Sequence, residues 1–127
     1  MRRYMATNGA DGHLWRKGAP TLVLTTRGRR TGEQRRTALI YGRDGDQYLI
    51  VASKAGADQP PWWYLNLIAH PTVEVQVGRE KFTAIAKSAS AAEKPYLWEI
   101  MVGIWPAYTR YQAKTKREIP VVMLERG

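Results

Sequence analysis

The chain has 127 residues, 44% of them hydrophobic, and a formal charge of +9 at pH 7. That length and apolar content fit one domain with a real core and exclude a disordered or fibrous chain. The lack of cysteine excludes disulfides and thiolate metal sites and fits a cytoplasmic setting, and no apolar stretch reads as a signal peptide or a bilayer span. The surplus of positive charge calls for a polyanionic partner: nucleic acid, an anionic membrane surface or an anionic cofactor. Five tryptophans and seven tyrosines stand against one phenylalanine, a bias expected where a planar ring is stacked and oriented.

Residues 1–17 read as an irregular or weakly helical lead-in to a single domain over 18–127. After Gly18-Ala19-Pro20, the apolar run Thr21–Thr26 predicts a first strand. Between Thr25 and Arg36 lie five arginines and one glutamate, together with Gly28, Gly32 and three threonines. Guanidinium forks on a glycine-bearing turn suit phosphate or several carboxylates, because they offer bidentate donors that stay charged. A solvated basic hairpin is the plain alternative. Arg36–Gly42 predicts a second strand, the Asp44-Gly45 pair a tight hairpin turn, and Gln47–Ser53 a third strand.

Ala55–Gln59 reads as a loop. Pro60-Pro61 opens a short helix that runs through Ala69 and is stopped by His70-Pro71. Thr72–Val77 alternates Val73, Val75 and Val77 against Glu74 and Gln76, the mark of a half-buried strand, and Glu80–Lys87 returns as its partner. Ser90-Ala91-Ala92-Glu93 matches a capping box. Beyond it, Leu97, Ile100, Met101, Ile104 and Trp105 follow helical spacing as a buried stripe. Pro95 predicts a kink or a later helix start. Pro106 interrupts that helix, a second segment carries Tyr108 and Tyr111, and Ile119–Leu124 closes the chain as a strand. Six strands broken by two helical insertions predict a mainly β fold with flanking helices (α+β), a small antiparallel barrel.

No strong catalytic signature exists. His13 and His70 lie far apart and neither has a partner at metal-ligand spacing, so no metal site is expected. His70, before a proline at a helix end, reads as a cap. No nucleophile elbow or triad can be assembled, so a bound cofactor is expected to supply any chemistry. Lys54, after Ser53 at a strand end, either meets an anion or is simply solvated. Trp62 and Trp63, at a helix start whose amides are free to donate, either border a planar ligand or staple the helix to the barrel. Tyr108 and Tyr111, three residues apart, share a helical face with phenolic donors that suit a pocket edge.

Five blocks in order resemble the deazaflavin-dependent nitroreductase and F420H2-dependent quinone reductase family, whose members use coenzyme F420. They are Leu24-Thr25-Thr26-x-Gly28-Arg29-Arg30-Thr31-Gly32, Ala52-Ser53-Lys54-x-Gly56, Trp63-Tyr64-Leu65-Asn66-Leu67, Pro106-x-Tyr108-x-x-Tyr111-Gln112 and Thr115-x-Arg117-x-Ile119-Pro120-Val121. The resemblance implies a split β-barrel like those that bind flavin mononucleotide. It also implies an F420-dependent oxidoreductase that passes a hydride from C5 of the reduced deazaflavin to a small electrophile. A quinone, an activated enone or a nitroheteroaromatic are the acceptors implied. Arg29, Arg30, Thr31, Arg35 and Lys54 match positions that meet the cofactor's phosphate and acidic tail. Ser53 and the backbone of Trp62 and Trp63 match the part that lines the deazaflavin ring, and Trp105, Tyr108 and Tyr111 match the substrate-side wall. Trp105 and Trp62 depart from tyrosine and methionine in relatives. Tyr108 and Ser53 are the candidate proton donors.

The chemistry agrees: a tail with a phosphodiester and several carboxylates is complementary to a multi-arginine loop. Hydride transfer needs aligned stacking and no protein nucleophile. Three alternatives stay open on the sequence: a flavin-mononucleotide oxidoreductase on the same barrel, a non-enzymatic deazaflavin carrier, and a basic nucleic-acid-binding barrel. The expected partner is a small-molecule acceptor, with no nucleic acid and no stable membrane insertion, and the chain is expected to be a monomer or dimer.

Overall fold

The computed structural model describes residues 20–126, so the expected lead-in over 1–17 and His13 lie outside the described residues. Seven strands are described: β1 (Thr21–Arg27), β2 (Gln34–Ile40), β3 (Gly42–Asp44), β4 (Gln47–Val51), β5 (Thr72–Val77), β6 (Glu80–Ser88) and β7 (Val121–Arg126). Among them lie α1 (Trp62–Ala69), α2 (Lys94–Ile104), α3 (Ala107–Lys114) and a 3-10 turn, Lys54–Gly56.

The strands form one antiparallel sheet in the order β2-β1-β5-β6-β7-β4-β3. The sheet curls until β2 and β4 are again in contact, although four strands lie between them. The result is a half-barrel with a split between β2 and β4, the mainly β, helix-flanked fold expected.

Period-2 alternation accounts for the inner core. Leu22 and Leu24 of β1 face inward with Val73 and Val75 of β5, Ala84 and Ala86 of β6, and Val122 and Leu124 of β7. Trp63 and Leu67 of α1 join that core. The apolar runs of β4 and β7 do not alternate, because both their faces are buried. Leu49, Val51, Val121 and Met123 point away from the barrel interior and pack with Leu97 and Met101 of α2 and with Tyr108 of α3. Gly42 lets α2 come close: a Cβ there would sit 2.7 Å from Met101 Sδ and 2.8 Å from Ile104 Cδ1.

Several element ends shift by a residue or two, and two differences have a clear local reason. The expected second strand divides at Tyr41, because β2 pairs with β1 at one sheet edge and β3 with β4 at the other. The chain crosses the split at this point, which raises the strand number from six to seven. The closing strand starts at Val121, after Pro120, which has no N–H to give to a ladder. The capping box forms, with the Glu93 N–H donating to Ser90 Oγ (3.2 Å) and the Ser90 N–H to Glu93 Oε1 (2.9 Å). Of the kink or later start expected at Pro95, the structure has the later start: a turn intervenes and α2 begins at Lys94, which places Pro95 harmlessly in its first turn. Of the expected stripe, Leu97 and Met101 are fully buried and Ile100, Ile104 and Trp105 partly so. Among the described residues no helix is long and apolar enough to cross a membrane.

The Ser90 amide, and after it the Ser90 hydroxyl, hold the Glu93 carboxyl below its ordinary range. A depressed folded pKa stabilises above the unfolded value, and that contribution is lost as pH falls through the folded one. Glu93→Ala should therefore melt below wild type at neutral pH, since it also removes the capping bond from the Ser90 N–H. In calorimetry across an acid series, the gap should shrink as the carboxyl protonates.

Candidate active site

A cavity of about 370 Å³ occupies the split. One wall is β2 from Thr37 to Ile40, whose outer edge has no partner strand among the described residues. Val51, Ser53 and Lys54 close it from the end of β4, Pro61, Trp62 and Trp63 from the start of α1, and Trp105, Tyr108 and Tyr111 from the bend between α2 and α3. A second hollow of about 310 Å³ is lined by Gly28, Arg29, Arg30, Thr31, Arg35, Asn66 and Trp62. Trp62, at 41% exposure, borders both. The structure thus gathers Ser53, Lys54, Trp62, Trp63, Trp105, Tyr108 and Tyr111 at the first cavity and Arg29, Arg30, Thr31 and Arg35, again with Trp62, at the second.

The helix α1 places the two tryptophans differently because of its 3.6-residue turn. Trp63, Asn66 and Leu67 are its buried face, so Trp63 staples the helix to the barrel while also lining the cavity. Its neighbour Trp62 is turned outward. Within the helix, N–H···O=C bonding begins with the Tyr64 and Leu65 amides donating to the Pro61 carbonyl. The Trp62 and Trp63 amides come before that point, as the start of any helix dictates.

The arginine loop is a tight hairpin end between Arg27 and Gln34. The Gly28 N–H donates to the Glu33 carbonyl (2.7 Å) and the Gly32 N–H to the Gly28 carbonyl (2.9 Å). The guanidinium groups of Arg29 and Arg30 have no hydrogen-bond or ion-pair partner among the described residues. Arg35 has only a loose, exposed contact with Glu33 at 3.6 Å. Crowded like charges without partners repel one another, and an anion relieves that repulsion.

Sequence reasoning gave no role to Asn66. Its side chain is 4% exposed. Its Nδ2 donates to Thr26 Oγ1 (3.2 Å), and its Oδ1 accepts the Arg29 N–H (3.1 Å). Asn66 therefore ties α1 to the arginine loop. The signal was one polar residue on the buried face of an otherwise apolar helix, since a buried amide needs partners.

Lys54 is the one non-glycine among the described residues with positive φ, +48°. Such a backbone costs on the order of 1–3 kcal/mol and persists only where its surroundings hold it. Ser53 beside it is 6% exposed. Across the cavity the Trp105 indole N–H donates to the Tyr111 hydroxyl oxygen (3.4 Å). Tyr108, 5% exposed, packs edge-on to Tyr111 at 6.0 Å between ring centroids and tilted against Trp98 at 6.2 Å. The aromatic stripe is thus both core, through Tyr108, and cavity edge, through Trp105 and Tyr111.

Asn66→Ala should leave the Arg29 amide and the Thr26 hydroxyl unpaired and cost about 1–3 kcal/mol. The measurements are thermal unfolding and amide exchange, with faster exchange expected at Arg29.

The family model described as F420H(2)-dependent quinone reductase matches residues 1–126. The chain is 46% identical over 126 residues to an F420H(2)-dependent quinone reductase of Mycobacterium tuberculosis (strain ATCC 25618 / H37Rv), covering 97% of this chain and 85% of that one. Among solved structures, one described as an F420-H2 dependent reductase (FDR-A) superposes with a TM-score of 0.78 at 36% identity, covering 84% of this chain and 94% of its own. Another, described as a domain-swapped dimer, gives a TM-score of 0.81 at 34% identity over 98% of this chain and 92% of its own. On a match of this extent, the chain belongs to the F420H(2)-dependent quinone reductase family and is a split-barrel F420H2-dependent reductase.

Proposed function

We propose that the two hollows divide the cofactor between them. The split of the barrel takes the deazaflavin ring, and the arginine loop takes the phosphate and carboxylate tail. The observation that carries this reading is Trp62, whose side chain borders both hollows. The residues present fit the group. The cavity at the split has aromatic and aliphatic walls for a planar ring, with Ser53 and Lys54 as its polar donors. The adjoining loop presents the unpartnered guanidinium groups of Arg29 and Arg30 for several anionic groups. Flavin mononucleotide, with one phosphate, would leave most of that charge uncompensated. A nucleic-acid interface would spread its cations along a face, whereas here they crowd one hairpin.

In this reading Arg29, Arg30, Arg35 and the Thr31 hydroxyl bind the tail, with Lys54 adding a further cation at the ring end. Trp62 and Trp63 flank the ring. Reduced F420, when bound, supplies the hydride. Trp105, Tyr108 and Tyr111 hold the acceptor against the ring and exclude water from that side, which is the alignment that hydride transfer requires. The acceptor is a small electrophile: a quinone, as in the family, and by the same chemistry an activated enone or a nitroheteroaromatic. Tyr108 and Ser53 line the same cavity, and their hydroxyl groups are the protein's own sources of the proton that completes reduction. The chain acts in the cytoplasm on small molecules as a monomer or dimer, without nucleic acid and without stable membrane insertion.

Arg30→Glu should weaken F420 about 10–100-fold in a tryptophan-quenching titration while leaving the melting temperature near wild type. Unchanged affinity, or a preference for flavin mononucleotide in the wild type, would remove the tail assignment. Turnover identifies the proton donor. A loss of about 10²-fold in kcat with unchanged cofactor affinity in Tyr108→Phe marks Tyr108, and the same loss in Ser53→Ala marks Ser53. Wild-type turnover in both variants assigns the proton to water.

A further inference from the structure

The loop between β4 and α1 carries Ser53 and Lys54, yet its own sequence does little to hold it. Ser53-Lys54-Ala55-Gly56-Ala57-Asp58 has no large apolar anchor. Its backbone is in the left-handed region at Lys54 (φ +48°) and again at Gly56 (φ +82°). Within the loop there are only the Gly56 N–H donating to the Ser53 carbonyl (3.0 Å) and the Ala57 N–H to the Lys54 carbonyl (3.2 Å). These are two bonds of a short turn, set against one strained residue, Lys54, and a glycine whose freedom in the unfolded chain must be given up.

The restraint comes from the far end of the chain. Arg117, on the segment between α3 and β7, donates from Nε to the Ala57 carbonyl (2.9 Å). Its Nη2 donates to the Ser53 carbonyl (2.9 Å) and the Ala52 carbonyl (3.2 Å). Two residues away, the Thr115 hydroxyl donates to Asp58 Oδ1 (2.7 Å). Gln112 of α3 holds Arg117 from behind, its Nε2 donating to the Arg117 carbonyl (2.8 Å) and its Oε1 accepting the Ile119 N–H (2.9 Å). Gly56 lies flat on α3, since a Cβ there would be 2.8 Å from the Tyr111 carbonyl oxygen.

From this geometry we infer that Arg117 is a positioning residue for the active site. It fixes the Ser53–Lys54 turn against the helix that carries Tyr108 and Tyr111, and so sets the spacing of the cavity's polar and aromatic sides. Arg117 itself is not among the cavity-lining residues, so it acts through the loop. A planar fork that reaches three carbonyls is something lysine cannot reproduce, though lysine keeps the charge. Arg117→Lys therefore separates geometry from electrostatics. The inference rests on the reading that this cavity takes the cofactor ring, and its test is built to fail separately.

The experiment compares the full chain with Arg117→Lys, Arg117→Ala, Lys54→Ala and the Lys54→Ala/Arg117→Ala pair. Amide exchange at Gly56 and Ala57 should quicken at least ten-fold in both Arg117 variants, while the amides of Leu22 and Leu24 stay as in wild type. F420 affinity should fall several-fold in Arg117→Lys as well as Arg117→Ala. In the Lys54→Ala background, Arg117→Ala should add little further loss, because one residue acts through the other. If Arg117→Ala does not fold, Arg117→Lys carries the exchange and affinity tests. Wild-type exchange at Gly56 and Ala57, equal quickening across β1, or losses that simply add where Lys54→Ala itself weakens binding would each overturn the inference. If Lys54→Ala binds F420 like wild type, the role proposed for Lys54 falls. Faster loop exchange with a changed KM for a quinone in Arg117→Lys would still support the positioning role.

Discussion

A curled sheet that returns to itself without closing is the constraint on which the rest depends. The strands β2 and β4 meet but do not pair, so one edge of backbone donors and acceptors, from Thr37 to Ile40, faces a gap instead of a ladder. An open edge with apolar flanks is a hazard unless it is covered. Here the covering is supplied by elements brought from elsewhere: the start of α1, the loop after β4, and the bend between α2 and α3. Each cover contributes a side chain to the cavity, so the means of shielding the edge and the means of building the site are the same.

The sites of burial and of strain follow from this plan. The strands β4 and β7 are buried on both faces, by the barrel interior on one side and by α2 and α3 on the other. They form a spine from which the loops that line the cavity depart. Tyr108 is part of that second core, which gives the aromatic wall a fixed base. The strained φ of Lys54 lies at the end of this spine and not in the middle of a flexible loop. A positive φ of this size can be kept only where neighbouring bonds over-determine it, and the three carbonyls held by Arg117 provide that restraint.

Much of this was legible in the sequence wherever the cause was local. The alternation of Val73, Val75 and Val77 fixed β5 to the residue. The Asp44-Gly45 pair gave the hairpin between β3 and β4, with Gly45 at φ +62°. The capping box gave the reciprocal bonds of Ser90 and Glu93. The crossing at Tyr41 was not legible, because it depends on which sheet edges β2 and β3 join. Asn66 and Arg117 were missed as organisers for the same reason: their partners lie 37 to 65 residues away along the chain. No periodicity records a contact of that range. The candidate residues lie together around two neighbouring hollows, a grouping across five blocks of sequence that composition and spacing do not predict.

The single turn of α1 from Trp62 to Asn66 accounts for the joining of two otherwise separate hollows. Residues four apart lie on neighbouring positions of a helix, about 6 Å along its axis. Trp62 stands between the hollows, while Asn66 grips the backbone of Arg29 and thereby the loop that presents the guanidinium groups. In the proposed division of the cofactor, ring and tail sites on independently mobile segments would have to be ordered relative to one another at a cost in affinity. With one rigid helix as the common support, itself stapled into the barrel by Trp63 and Leu67, that ordering is already done when the protein folds. The mutual repulsion of the arginines would work in the same direction under the proposed reading: the fold holds in place guanidinium groups that have few partners among the described residues, so a polyanionic tail would not have to gather them.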